Sequence, residues 1–150
     1  MQEHWAVASD HAGRELKRAV AEHLLQLGHA VHDVGCEAGA SVDYPDYAEK
    51  ACSLLEDGTC QMAVLCCGTG LGMCISASRF ASVRAALCTN EFMARMARSH
   101  NDANVLCLGE RVVGMGSAHG ILEAFLHTAF TGGRHQGRLD KVARLGPKDR

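Results

Sequence analysis

The ten residues Val64-Leu65-Cys66-Cys67-Gly68-Thr69-Gly70-Leu71-Gly72-Met73 constrain this chain more than any other stretch. Apolar residues run into two cysteines, glycine then takes every second position, and Met73-Cys74-Ile75-Ser76-Ala77 follows. The pattern predicts a buried strand, a turn without side-chain bulk, and a helix that begins at once. Such a turn aims backbone N–H groups and the positive end of a helix dipole at one point, which is an anion cradle. A thiol at its lip is expected to ionise more easily than free cysteine, whose pKa is about 8.5.

Around this centre, short apolar segments alternate with helical patterns. Trp5-Ala6-Val7-Ala8 reads as a first strand ending at Ser9-Asp10-His11-Ala12-Gly13. Leu16, Val20, Leu24 and Leu27 recur at helical spacing, and Gly28 closes that helix. Further strands are expected at Ala30–Val34, Met62–Cys66, Val83–Cys88 and Val105–Leu108, with helices at Tyr47–Leu55, from the glycine turn to about Phe80, Glu91–Arg98 and Gly114–His127. Residues 36–46 read as a loop, and a polar tail is expected from Thr131. The alternation predicts an α/β fold: a three-layer single domain over 1–150, with a five-stranded parallel sheet and helices on both faces. In such sheets ligands bind beyond the carboxyl ends of the strands. The sequence places Asp10 and His11, Cys67–Gly72, and then His100 and Asn101 near those ends.

Composition narrows the function. A net charge of −2 over 150 residues offers no field for nucleic acid or an anionic membrane, so a phosphate must meet a local group of arginines. No apolar run reaches the ~20 residues of a membrane span. Met1-Gln2-Glu3-His4-Trp5 lacks the layout of a secretion signal, so a cytoplasmic location is expected and the 8 cysteines read as free thiols. No C-x-x-C or H-E-x-x-H spacing occurs, so no metal site is expected.

Each candidate has a plainer alternative. Asp10-His11 could orient a substrate hydroxyl or contact an anion, or Asp10 could cap a helix. Cys67 could be a base or a small buried hydrophobe, while Cys66 faces the other side of the strand and is assigned to packing. Thr69 could stabilise an oxyanion or fit a turn. His100-Asn101-Asp102 could supply an acid/base group, or His100 could pair with a helix dipole. Arg111, Arg134 and Arg138 could bind phosphate through their guanidinium forks or lie solvated on the surface. As a dinucleotide loop the glycines are poor, reading G-x-G-x-G after the third strand. The Gly-Lys-Ser/Thr ending of a P-loop is missing, and Met73 stands where a cysteine phosphatase needs arginine.

Six segments in order, Ala8–Gly13, Asp43-Tyr44-Pro45, Cys67–Gly72, Ser99–Asp102, Gly109–Gly114 and Gly132–Gln136, resemble type B ribose-5-phosphate isomerase, a family that also holds galactose-6-phosphate, allose-6-phosphate and tetrose-phosphate isomerases. The resemblance implies an aldose–ketose isomerase with a Rossmann-like fold and without metal or cofactor, whose phosphosugar site is shared between the subunits of a homodimer or homotetramer. Carried over, Cys67 moves a proton between C1 and C2, His100 helps to open the furanose ring, and Asp10 assists at the sugar hydroxyls. Gly68, Thr69, Gly70, Leu71 and Gly72 hold the enediolate oxygens. His11, Asn101, Arg111, Arg134 and Arg138 bind substrate, the arginines chiefly its phosphate, and Tyr44 lines the pocket. Some relatives use a glutamate in the glycine loop as base, and none stands between Gly68 and Ser78 here. Many relatives carry Asn where this chain has Ser78, which bears on substrate preference. Ribose 5-phosphate and ribulose 5-phosphate are the leading pair. The alternatives are a hexose or tetrose phosphate, or a non-catalytic phosphosugar- or nucleotide-binding module.

Overall fold

The computed structural model describes residues 2–146. Five parallel strands, β1 (His4–Ser9), β2 (Ala30–Asp33), β3 (Met62–Cys67), β4 (Ala85–Leu87) and β5 (Val105–Gly109), form one sheet in the order β2-β1-β3-β5-β4. Between and after them run α1 (Arg14–Gln26), α2 (Tyr44–Glu56), α3 (Leu71–Ala77), α4 (Glu91–Asn101), α5 (Met115–Leu126) and α6 (Arg134–Ala143). The expected parallel α/β sheet with helices on both faces is what forms.

Period-2 alternation divides the central strands between two cores. Trp5, Val7, Val64, Cys66, Leu106 and Leu108 point to one face, where α1, α4 and α5 supply Leu16, Val20, Ala97 and Phe125. Ala6, Ala8, Leu65, Cys67, Val105 and Cys107 point to the other, under Ala48, Cys52 and Met73 of α2 and α3. β3 and β5 are buried along their whole length, while the edge strands β2 and β4 are only partly covered.

The sheet order reverses at β1. From there the chain steps outward to β2 and then back across to β3, so the helices that follow β1 and β3 leave on opposite faces. A crevice opens between the ends of two such strands. The loops around it are pressed together. A Cβ on Gly13 would lie 2.5 Å from the carbonyl carbon and oxygen of Cys66, so only glycine lets the β1 loop rest on the β3 backbone.

Several element ends differ from the sequence reading. α2 begins at Tyr44 with Pro45 in its first turn, because proline suits a position whose N–H has no helical partner. α3 stops at Ala77, and β4 keeps only Ala85–Leu87 of the expected Val83–Cys88. α4 continues to Asn101, so His100 and Asn101 belong to its last turn. The expected polar tail contains α6. His135 is its one buried residue, and Leu139 and Val142, which recur with it at helical spacing, are too few in so polar a segment to mark a helix. Two left-handed glycines, Gly132 and Gly133 at φ 63 and 57, turn the chain into it.

Candidate active site

β3 ends at Cys67, and the turn that follows closes on the cysteine itself. The Gly70 N–H donates to Cys67 Sγ at 3.1 Å, while the Leu71 N–H donates to Thr69 Oγ1 at 3.3 Å. Gly70 is the N-cap of α3 at φ 80, a left-handed conformation that glycine adopts freely. A Cβ there would lie 2.5 Å from Leu87 Cδ1 and 3.0 Å from the carbonyl carbon of Leu108. Cys67 is 4% exposed, so its thiol sits at the floor of the turn. Thr69 is exposed and serves the turn through its oxygen, which leaves its hydroxyl proton for a ligand.

Three other segments meet this turn. Arg111 donates its backbone N–H to the Gly68 carbonyl at 3.0 Å, and its Nη1 would lie 3.2 Å from a Cβ on Gly68, so the guanidinium rests on that glycine. The Tyr44 ring covers Gly72, where a Cβ would approach it to 2.7 Å. Asp10 gathers the β1 loop, its Oδ1 accepting from the N–H groups of Ala12 at 2.9 Å and Gly13 at 3.2 Å. The helix α1 starts later, with Gly13 as N-cap, so Asp10 closes an Asx turn and is not a helix cap. His11 Nδ1 stands 3.2 Å from both the nitrogen and the oxygen of Val42, which binds the β1 loop to the segment before α2. Asp10, His11, Tyr44, the glycine turn and Arg111 therefore share the carboxyl edge of the sheet.

His100 and Asn101 do not join them. α4 runs antiparallel to the strands, so its last turn lies at the amino edge, and residues 102–104 lead from it into the start of β5. Asn104 accepts there from the Ala63 N–H at the beginning of β3, at 2.9 Å. The sequence reading had put both residues near the carboxyl ends. The length of β5 separates them from Cys67, about 16 Å for a five-residue strand at ~3.3 Å per residue. Arg134 and Arg138 sit with them. The His135 ring between these arginines stacks on His100 at 4.1 Å and 13°, and Thr131 bonds the Ser99 carbonyl through N–H at 3.0 Å and hydroxyl at 2.7 Å. Burial, the His100 ring and the two arginine charges hold the His135 imidazole below the usual histidine range. Arg134 and Arg138 are exposed and one turn apart, on one side of α6. Each chain thus carries two separate groups of candidate residues, on opposite edges of its sheet.

The thiols differ sharply in character. Burial pushes the Cys66 thiol up, and Cys52 is raised to about 12 for the same reason. Cys74 is lowered to about 6, first by its hydrogen bond with Cys107, whose thiol is raised in turn. None of the eight cysteines is in a disulfide. Ser78 Oγ donates back to the Cys74 carbonyl at 2.7 Å, so its hydroxyl is spent on its own helix. Among the described residues, no group of three or more His, Cys, Asp or Glu is placed to hold a metal ion, and no helix is long and apolar enough to cross a membrane.

The profile of the ribose/galactose isomerase family matches residues 5–142. The chain belongs to this family. The ribose-5-phosphate isomerase B of Escherichia coli is 39% identical over 140 residues, covering 93% of this chain and 94% of its own. The solved ribose 5-phosphate isomerase of Thermotoga maritima is 46% identical with a TM-score of 0.93, covering 97% of this chain and 100% of its own. The ribose-5-phosphate isomerase B of Mycoplasma genitalium, solved with bound ribulose-5-phosphate, is 40% identical with a TM-score of 0.90, covering 94% of each chain. The expected enzyme class, a sugar-phosphate aldose–ketose isomerase, stands with the family.

In this family member the sequence also left one contact unread. Glu110 Oε1 accepts the Leu16 N–H at 2.9 Å across 94 positions of chain. No local pattern announces a helix cap supplied from so far away.

Proposed function

We propose that the protein interconverts ribose 5-phosphate and ribulose 5-phosphate through a cis-enediolate, with Cys67 as the base. The observation that carries this reading is the Cys67 sulfur held by the glycine turn, with the Arg111 guanidinium resting on the next residue, Gly68. After ring opening, aided by His100, the Cys67 thiolate takes the proton from C2 of the aldose. The C2–H electron pair forms the C1–C2 double bond, and the carbonyl pair moves onto O1. The C1–C2 double-bond pair then takes the proton back from the thiol at C1, the O2 hydroxyl passes its own proton to O1, and the carbonyl reforms at C2 with the thiolate restored. One base on one face of the enediolate serves both carbons. The turn from Gly68 to Gly72 supplies N–H donors to the developing oxyanion, each worth about 3–4 kcal/mol when preorganised. Asp10, His11, Tyr44 and Asn101 bind the sugar. Arg111, Arg134 and Arg138 bind the phosphate, whose binding energy fixes the reacting carbons over the sulfur.

Because His100, Asn101, Arg134 and Arg138 lie a strand length from Cys67, the working site takes them from a second copy. A homodimer is the simplest assembly, and its isologous contact yields two equivalent sites. An apolar rim at the carboxyl edge supports this: Leu71 and Ile75 on successive turns of α3, with Phe92, Val112 and Met115 nearby, are 46–67% exposed. Free thiols throughout the described chain suit a reducing, cytoplasmic setting.

The test is turnover of four-, five- and six-carbon aldose phosphates without added metal, by wild type and Cys67→Ala. Fastest conversion of ribose 5-phosphate, lost in the variant, is expected. Preference for a tetrose or hexose phosphate would overturn the substrate. Conversion of none, with phosphosugar still bound, would leave a binding module.

A further inference from the structure

The N-terminus of α1 has no cap of its own. Gly13 stands at the N-cap position and offers no side chain, so the first-turn N–H groups need acceptors from elsewhere. Glu110, the residue after β5, supplies one through Oε1 to the Leu16 N–H at 2.9 Å. A carboxylate at that position also meets the positive end of the α1 dipole. The same residue holds the glycine turn by its main chain, donating its N–H to the Cys67 carbonyl at 2.9 Å. Its neighbour Arg111 makes the next such bond, to the Gly68 carbonyl, and lays its guanidinium on Gly68. The α1 end is itself fixed to the β1 loop, since Asp10 binds the Gly13 N–H and Gly13 rests on the Cys66 backbone.

Resting on the isomerase reading above, we propose that Glu110 is a positioning residue whose carboxylate locks the Arg111–Cys67 side of the crevice to the Asp10–His11 side. It acts through α1 and through its own backbone and does not touch substrate. Main-chain bonds alone hold the β5 loop to the glycine turn. The carboxylate adds the third side, so the distance between phosphate ligand, base and sugar ligands becomes fixed. Misplacement of such groups by about 1 Å can cost on the order of a hundredfold in rate.

Three variants separate position from charge and from fold. Glu110→Gln keeps an acceptor oxygen at the same reach and removes the charge. Glu110→Asp keeps the charge and is one methylene too short. Glu110→Ala removes both. The measurements are kcat and KM for ribose 5-phosphate and the hydrogen-exchange rate of the Leu16 amide. Glu110→Asp and Glu110→Ala are expected to lower kcat/KM by roughly tenfold to a hundredfold, with KM raised because Arg111 is displaced, and to speed exchange at Leu16. Glu110→Gln is expected to stay close to wild type in both. A merely structural loss would lower the active fraction, and so apparent kcat, and leave KM unchanged. If Glu110→Ala does not fold, the Asp and Gln variants carry the test. Wild-type KM and kcat in Glu110→Asp with Leu16 deprotected would overturn the positioning role alone. A wild-type protein that isomerises no phosphosugar would overturn the parent reading and this role with it, while Leu16 exchange would still report the cap.

Discussion

Two inactive variants should restore activity to each other. Cys67→Ala removes the proposed base at the carboxyl edge, and His100→Ala removes the proposed ring-opening group at the amino edge of the same chain. Loss of a general acid or base costs about 10²–10⁴-fold, so each variant alone should turn over at roughly 1% of wild type or less. The two groups lie about 16 Å apart along β5, so each site of the proposed isologous dimer would pair the cysteine of one chain with the histidine of the other. In a dimer of one variant with the other, one site is intact and its twin lacks both groups. Random one-to-one assembly makes about half of all dimers mixed, with one good site in two, so about one quarter of wild-type activity should return. Co-expression with two affinity tags isolates the mixed dimer, whose activity should reach about half of wild type. A tagged, mass-verified mixed dimer with only parental turnover would refute the shared site. So would wild-type kcat in a monomer obtained by dilution.

Three further outcomes follow from local chemistry. Iodoacetamide at pH 7 should label Cys74 ahead of Cys52 and Cys66, because Cys74 is lowered to about 6 while burial raises the others, and Cys74→Ala should still isomerise. Peptide mass mapping reads the order, and Cys66 labelled first would contradict it. Glu123 on α5 takes hydrogen bonds from His23 of α1 and His127, and the His23 bond chiefly holds its carboxyl below the usual glutamate range. A depressed folded-state value stabilises above the unfolded value of about 4.3 and loses that effect as pH falls through the folded one. Thermal unfolding of wild type and Glu123→Gln should therefore converge in acid below that value, and a gap unchanged from pH 7 down to strong acid would refute the link. Asp102 adopts φ 44 at the end of α4, with Arg84 Nη2 at 3.1 Å and Arg98 Nη1 at 3.0 Å from its carboxylate. Asp102→Ala and Asp102→Gly both lose these pairs, but only alanine keeps the left-handed strain, so denaturant unfolding should find it less stable by about 1 kcal/mol. Equal stability would show that the backbone relaxes.

The sheet was legible because both of its signals are local. Alternation along Val64–Cys67 separates Cys66 from Cys67 onto opposite faces, and the two cores contain one each. Glycine at 68, 70 and 72 announced the turn for the same reason, since a residue with no Cβ is visible in the sequence wherever backbone must approach closely. The place of His100 was not legible in this way. Its neighbours in sequence say only that a helix ends there. Only its place before the next strand decides the edge: between parallel strands the helix must carry the chain back to the amino end of β5, and the expectation that grouped it with the strand-end loops overlooked that return. α6 escaped for a different reason. It buries only His135, against a histidine 35 positions earlier, and although Leu139 and Val142 recur with His135 at helical spacing, the segment is so polar that it reads as a tail.

The two groups of residues are built by opposite means, and that division bears on catalysis. At the carboxyl edge the ligands hang from loops, and rigidity comes from close backbone contact: Gly13 on Cys66, the Glu110 and Arg111 amides on the glycine turn, Glu110 on α1. Such contacts tolerate almost no displacement, which suits a base that must meet two adjacent carbons. At the amino edge His100 and Asn101 stand on the last turn of a helix, whose end is fixed by charge. Asp102 draws in Arg84 from just before β4 and Arg98 from α4, and the His135 ring lies flat on His100. The exposed Arg134 and Arg138 side chains are long enough to adjust to the phosphate proposed to bind them. A site assembled from both would bring its precise half and its adaptable half from different chains, so that isomerisation depends on association itself.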